Sequence, residues 1–168
     1  MVSHGAFRLL GYVYGLLGFF ACICGAFWTG FETNEVSAKK DLTEEERMTV
    51  VVLKIAFFSV LISLVFFIFL LVGIFLKKVL LVKIHKVYLL INIVLSILTL
   101  ASSFHGLVKG VPSAGFSVLV IFVGIGLLYL YLWIVNGVIE AIQHEREQKL
   151  EMVVEVNADE KEALSNSA

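Results

Sequence analysis

Long apolar runs, rather than alternation of apolar and polar residues, organise this chain. One runs from Leu9 to about Trp28 and a second from Ile55 to Leu76 without a charge; a third spans Val87 to about Phe104 and a fourth Phe116 to Ile139. Crossing the hydrocarbon of a bilayer takes about 20 residues of helix at a rise of about 1.5 Å each. The four runs meet that length or come near it, the third being the shortest. Helix is the forced choice because lipid offers no partner to a bare peptide group, and barrel strands would alternate instead of running on. The predicted fold is therefore all-α, an integral membrane four-helix bundle with spans at 9–28, 55–76, 87–104 and 116–139. Residues 1–8 precede it. A tail at 140–168 begins as helix over 141–150, with Glu145 and Lys149 paired at i, i+4. Past Asn157 the tail turns polar and acidic, which predicts a disordered end.

Composition agrees with lipid as the solvent. Of 168 residues, 60% are apolar and 16% charged, against about 45–50% and about 25% in soluble domains, and the mean hydropathy is +0.96. The first run could be read as a secretory signal, since Arg8 precedes it and Gly25 and Ala26 follow. A signal's apolar region is usually about 7–15 residues, so this longer run reads as a retained span. Charge sets the orientation through Lys and Arg in short loops. Arg8, Lys77, Lys78, Lys83, Lys86, Arg146, Lys149 and Lys161 fall on one side; Lys39, Lys40, Arg47, Lys54 and Lys109 fall on the other. Both termini and the 77–86 hairpin are thus expected in the cytosol, with the plasma membrane as the expected location. The first outer loop, about 29–54, carries Thr43-Glu44-Glu45-Glu46, which fits a capping box that starts the second helix before the membrane.

Three seams stand out within the spans. Gly11, Gly15, Gly18, Cys22 and Gly25 are spaced 4, 3, 4, 3, so one face of the first helix is built of small residues that let another backbone approach. The partner is either a helix of the same chain or a second copy. On the third helix Asn92, Ser96, Thr99 and Ser103 step 4, 3, 4 and could hydrogen-bond across an interface or line a path for a solute. This seam is expected to meet the glycine seam, with Ser59 and Ser63 of the second helix joining. On the fourth, Tyr129, Trp133, Asn136 and Glu140 follow the same step where the chain enters the headgroup region, as interfacial aromatics do.

Candidate chemistry is sparse. No Asp, Glu, Lys, Arg or His sits at mid-membrane depth in any run, whereas proton relays and ion paths are built from such groups. His4, His85, His105 and His144 lie outside the runs and are expected at the surface. Cys22 and Cys24, two apart on a helix, point to different faces. No cofactor, metal, catalytic set or soluble substrate is suggested, and no basic patch with stacking aromatics points to nucleic acid. Lys77, Lys78, Lys83 and Lys86 alternate with apolar residues and are expected at lipid headgroups.

The run Leu64-Val-Phe-Phe-Ile-Phe-Leu-Leu-Val-Gly73-Ile-Phe-Leu, the lysines after it, Val87-Tyr-Leu-Leu-Ile-Asn92-Ile-Val and the terminal Tyr129-Leu-Tyr-Leu-Trp133-Ile-Val-Asn136 share a layout. It resembles the small insect four-span proteins of the Pasiflora type over roughly residues 8–147. The resemblance implies an epithelial or glial membrane protein associated with septate junctions and paracellular barriers. The expected function is a non-enzymatic tetraspan that assembles with other membrane proteins or with itself; a neutral-solute channel or transport accessory is the alternative.

Overall fold

The computed structural model describes residues 4–38, 43–109 and 114–166. They form four helices: α1 His4–Ser37, α2 Glu44–Phe75, α3 Val79–Val108 and α4 Ala114–Asn166. All four are long and apolar enough to cross a membrane. The fold is an all-α, four-helix membrane bundle.

Each helix outlasts its apolar run. Apolar residues mark where hydrocarbon begins and ends; the backbone stays helical until something stops it. α1 passes Trp28 and continues to Ser37, so the expected loop at 29–54 shrinks to a short connection. Lys39, Lys40 and Asp41 of that loop lie outside the described residues, as does Pro112. Thr29 and Thr33 sit within this extension, their hydroxyls donating to the carbonyls of Gly25 (2.8 Å) and Thr29 (2.6 Å), so neither hydroxyl competes for the helix's own amides. α2 begins with the expected capping box: the Thr43 hydroxyl accepts from the Glu46 amide (3.3 Å), and the Glu46 carboxylate accepts from the Thr43 amide (3.0 Å). α4 remains helical to Asn166 where a disordered end was expected; Ala, Glu, Lys and Leu recur between 160 and 164, and all are good helix formers.

The largest correction concerns the lysine hairpin. Only residues 76–78 form the turn, and α3 starts at Val79, so Lys83 and Lys86 lie on a helix rather than in a loop. The turn is a Schellman closure. Lys77 has φ 52°, the Lys78 amide donates to the Gly73 carbonyl (2.9 Å), and the Lys77 amide to that of Ile74 (3.4 Å). Gly73 has no room for a side chain, since a Cβ there would lie 2.9 Å from Val82 and 3.0 Å from Leu81.

The helices pack antiparallel in a ring, α1 on α2, α2 on α3, α3 on α4 and α4 on α1. The core is concentrated toward one end, here called the base, which holds the start of α1, the α2–α3 turn and the middle of α4. Leu70, Ile74, Val82, Val135, Val138 and Ile142 are fully buried there. Toward the opposite, distal end Phe20, Phe27, Phe31, Phe58, Leu98 and Phe122 are exposed, and Val50 is the buried exception.

Candidate functional site: a cleft in the bundle and the polar cluster at its base

The small-residue seam of α1 is used inside the chain. Gly11 lies against Val138 and Ile74, Gly15 against Leu71, Gly18 against the Phe67 ring and Gly25 against Val60. Its partners are α2 and, at the base, α4, not α3. α1 and α3 stand diagonally across the ring, so the expected meeting of the glycine and polar seams does not occur. The polar seam instead borders α4. Asn92, Ser96 and Thr99 line a recess of about 380 Å³ with Gly124, Leu128 and Tyr131. Asn92 Nδ2 donates to the Tyr88 carbonyl (2.9 Å) and Thr99 Oγ1 to that of Leu95 (2.9 Å), both within α3. Ser103 is half-buried further along. A hydrogen bond between side chains of α2 and α3 joins Ser63 Oγ to the Tyr88 hydroxyl at 2.6 Å, so Ser63 takes part through a tyrosine that the spacing did not single out.

A second and larger cavity, about 550 Å³, lies among α1, α2 and α4. Leu17, Ala21 and Cys22 form one wall and Val60 and Phe67 another, with Tyr14 and Tyr131 at the basal end. Cys22 is half-buried there, Cys24 is exposed, and both thiols are free. Tyr131 borders both cavities, and its ring stacks on Tyr14 with centroids 4.3 Å apart.

His85 closes this floor. It was expected at the surface but is completely buried. Its Nδ1 lies 2.9 Å from the Phe66 carbonyl oxygen and its Nε2 3.2 Å from the Tyr14 hydroxyl. A carbonyl only accepts, so Nδ1 carries the proton, and Nε2 accepts from Tyr14. Both ring nitrogens of a neutral imidazole are thereby satisfied, as burial requires. Phe67 sits against both His85 (5.2 Å) and Tyr14 (5.4 Å), and Phe66 stacks on Tyr88 at 4.4 Å. The signal was present in the sequence: Val82, His85, Leu89 and Ile93 step 3, 4, 4 and are all buried. The lysines around His85 disguised it as part of a polar loop.

Below the floor, charges converge. Glu145 of α4 is paired with Arg8 of α1 and Lys77 of the α2–α3 turn, rather than with Lys149 as helical spacing suggested. Arg146 Nη2 donates to the Lys77 carbonyl (3.2 Å). The Lys77 hydrogen bond, followed by the Arg8 charge, outweighs partial desolvation and holds the Glu145 carboxyl below the usual carboxylate range. The left-handed Lys77 has a use here, because its side chain is one of the two cations on Glu145. Of the four hairpin lysines, Lys77 is thus committed inward and Lys78 precedes α3, while Lys83 and Lys86 border a recess of about 370 Å³ with Asn136 and Glu140. Tyr129 and Trp133 are exposed on α4, and Trp133 meets Phe7 edge-on at 5.0 Å.

Among the described residues no three His, Cys, Asp or Glu side chains gather as a metal site would need. No protein-family model, curated protein or solved structure matches this chain.

Proposed function

We propose that this is a non-enzymatic structural tetraspan that assembles with other membrane proteins through the apolar cleft among α1, α2 and α4. The observation that carries the reading is the one-sided core. Fully buried apolar side chains and the Tyr14–His85 pair close the base, while an apolar cleft opens among α1, α2 and α4 from Leu10 and Ile134 to Cys22 and Val60. A neutral-solute path would need polar groups free to bind the solute along its length. Here Asn92, Ser96 and Thr99 border a recess between α3 and α4, and fully buried Leu70, Ile74 and Val138 close the base. The occupant that fits the cleft is a helix of a partner membrane protein, since Ala21 and Cys22 line it and small residues admit close backbone approach. The excess of Lys and Arg at the base supports a cytosolic base, and the plasma membrane follows as the proposed location. The resemblance to small insect four-span proteins supports septate-junction barrier complexes as the setting.

The test fills the cleft. Ala21→Trp and Cys22→Trp should leave a folded, membrane-inserted monomer and abolish larger complexes on native electrophoresis. Unchanged complexes in both variants would count against assembly through the cleft. Solute flux through liposomes holding the purified protein, abolished by Asn92→Leu, would establish the pore instead.

A further inference from the structure

The recess between α3 and α4 at the base lies where the apolar run of α4 ends, between Ile139 and Glu140. Its polar lining is Lys83 and Lys86 from α3 and Asn136, Glu140 and Gln143 from α4. Both charge signs share one recess, yet among the described residues neither lysine lies within ion-pair range of Glu140. Opposite charges that border one space without neutralising each other match a ligand carrying both signs. The floor, formed by Val87, Leu90 and Ile139, is apolar. From it an exposed apolar stripe, Val87, Leu90, Val94 and Ile97, runs along α3 toward mid-bilayer at steps of 3, 4, 3.

We propose that this recess binds a glycerophospholipid whose headgroup carries a primary ammonium, of the phosphatidylethanolamine kind. The phosphate lies between Lys83 and Lys86, each a compact point charge suited to it. The ammonium donates to the Glu140 carboxylate and to the amide oxygens of Asn136 and Gln143, using its three N–H donors. One acyl chain follows the Val87–Ile97 stripe. A quaternary choline has no N–H to donate and is recognised by aromatic faces, and no aromatic among the described residues lines the recess. A purely anionic headgroup would place its charge beside Glu140 and offer the carboxylate neutral hydroxyl donors at most, without a countercharge. The assignment goes beyond general attraction of lysines to an anionic leaflet, because it requires the acid as well as the bases, and it does not depend on what fills the cleft among α1, α2 and α4.

The test is native mass spectrometry of the full chain purified in mild detergent, titrated with phosphatidylethanolamine, phosphatidylcholine and phosphatidylglycerol of identical acyl chains. The ethanolamine lipid should be retained over the choline lipid by about tenfold, the worth of one charge-assisted contact. Glu140→Gln should bring the ethanolamine lipid down to the choline level and leave the glycerol lipid unchanged or better bound. Lys83→Gln with Lys86→Gln should weaken both the ethanolamine and the glycerol lipids. Gln143→Leu, at an exposed position, should reduce the ethanolamine preference and keeps the test open if Glu140→Gln elutes misfolded. Excess O-phosphoethanolamine should leave the lipid bound; its displacement of the lipid would make the ligand a water-soluble one. Equal retention of the ethanolamine and choline lipids, or a preference that survives both Glu140→Gln and Gln143→Leu, would overturn the proposal.

Discussion

The glycines of α1 form one seam by spacing, but the structure makes them unequal, and a graded alanine series separates the two. At Gly18 an added Cβ would overlap the edge of the Phe67 ring at Cε1 and Cζ. Tyr14 and His85 pack against that ring with centroids 5.4 and 5.2 Å away, so it can yield only toward the cleft it lines. At Gly15 the nearest obstacle is Leu71 Cδ2 at 2.7 Å, the far end of a flexible side chain. At Gly25 the new methyl would meet Val60 Cγ1 at 3.6 Å, an ordinary contact. Overpacking a filled site costs about 1–3 kcal/mol, whereas Gly→Ala in a helix otherwise gains about 1 kcal/mol. Gly18→Ala should therefore lose up to about 2 kcal/mol net, Gly15→Ala should fall between, and Gly25→Ala should be neutral or slightly stabilising. Reversible unfolding in mixed micelles, with rising denaturing detergent, reads the order directly. Phe67→Leu should rescue Gly18→Ala, with non-additivity in the double variant, because the two positions touch. If the three alanines agree within about 0.5 kcal/mol, the tolerance of independent sites, the seam does not face α2 as described. Unchanged stability with a loss of complex size would assign the seam to a second copy of the chain.

Three further perturbations address the base and the α2 start. His85→Leu should cost about 1–3 kcal/mol in the same assay by stranding the Tyr14 hydroxyl, and adding Tyr14→Phe should recover part of it; full tolerance of His85→Leu alone would show that the pair is not buried. Glu145→Gln, where solvent still reaches, should cost about 1 kcal/mol or less. Because its pairing depresses the carboxyl in the folded state, that contribution is complete above the ordinary carboxylate value of 4.5 and is lost as pH falls from there through the depressed value. Glu145→Gln should flatten that acid limb, and an unaltered limb would exclude the residue as its source. Thr43→Ala removes the hydroxyl that accepts from the Glu46 amide and should cost about 1 kcal/mol, seen as faster amide exchange confined to the first turns of α2; no change there would mean that the cap does not hold the helix start.

The sequence carried the spans and the capping box because both are local: one is a run of apolar residues against a bilayer thickness, the other a four-residue motif. It did not carry the helix limits, since the apolar run stops at the hydrocarbon boundary and the backbone does not. The glycine seam was legible as a contact face, but its partner depends on which helices are neighbours in the ring, and spacing within one helix is silent on that. Glu145 is the clearest case of what sequence reading misses. Its nearest cation by helical spacing is Lys149, but Arg8 and Lys77 reach it from distant parts of the chain. His85 was misread for a different reason. Its charged neighbours suggested a loop, although the stripe from Val82 to Ile93 already placed it on the buried face.

His85 and its neighbours bear on how a bundle in lipid acquires a single arrangement. Apolar side chains face lipid as readily as one another, so burial alone does not fix how α3 is rotated about its axis. Polar groups do fix it, because each has a cost in the wrong place. His85 faces inward to Phe66 and Tyr14, while Lys83, two residues before, is exposed. Turning α3 by about one residue, roughly 100°, would bring a lysine toward the apolar core or point His85 at hydrocarbon with its nitrogens unpaired, and either is costly in the membrane. The same stretch that carries the lysines thus selects its rotation. The Lys77–Glu145–Arg8 cluster then ties that choice to α1 and α4. Distally, hydrogen bonds such as those of Asn92 and Thr99 close on their own helix and leave its neighbours unspecified.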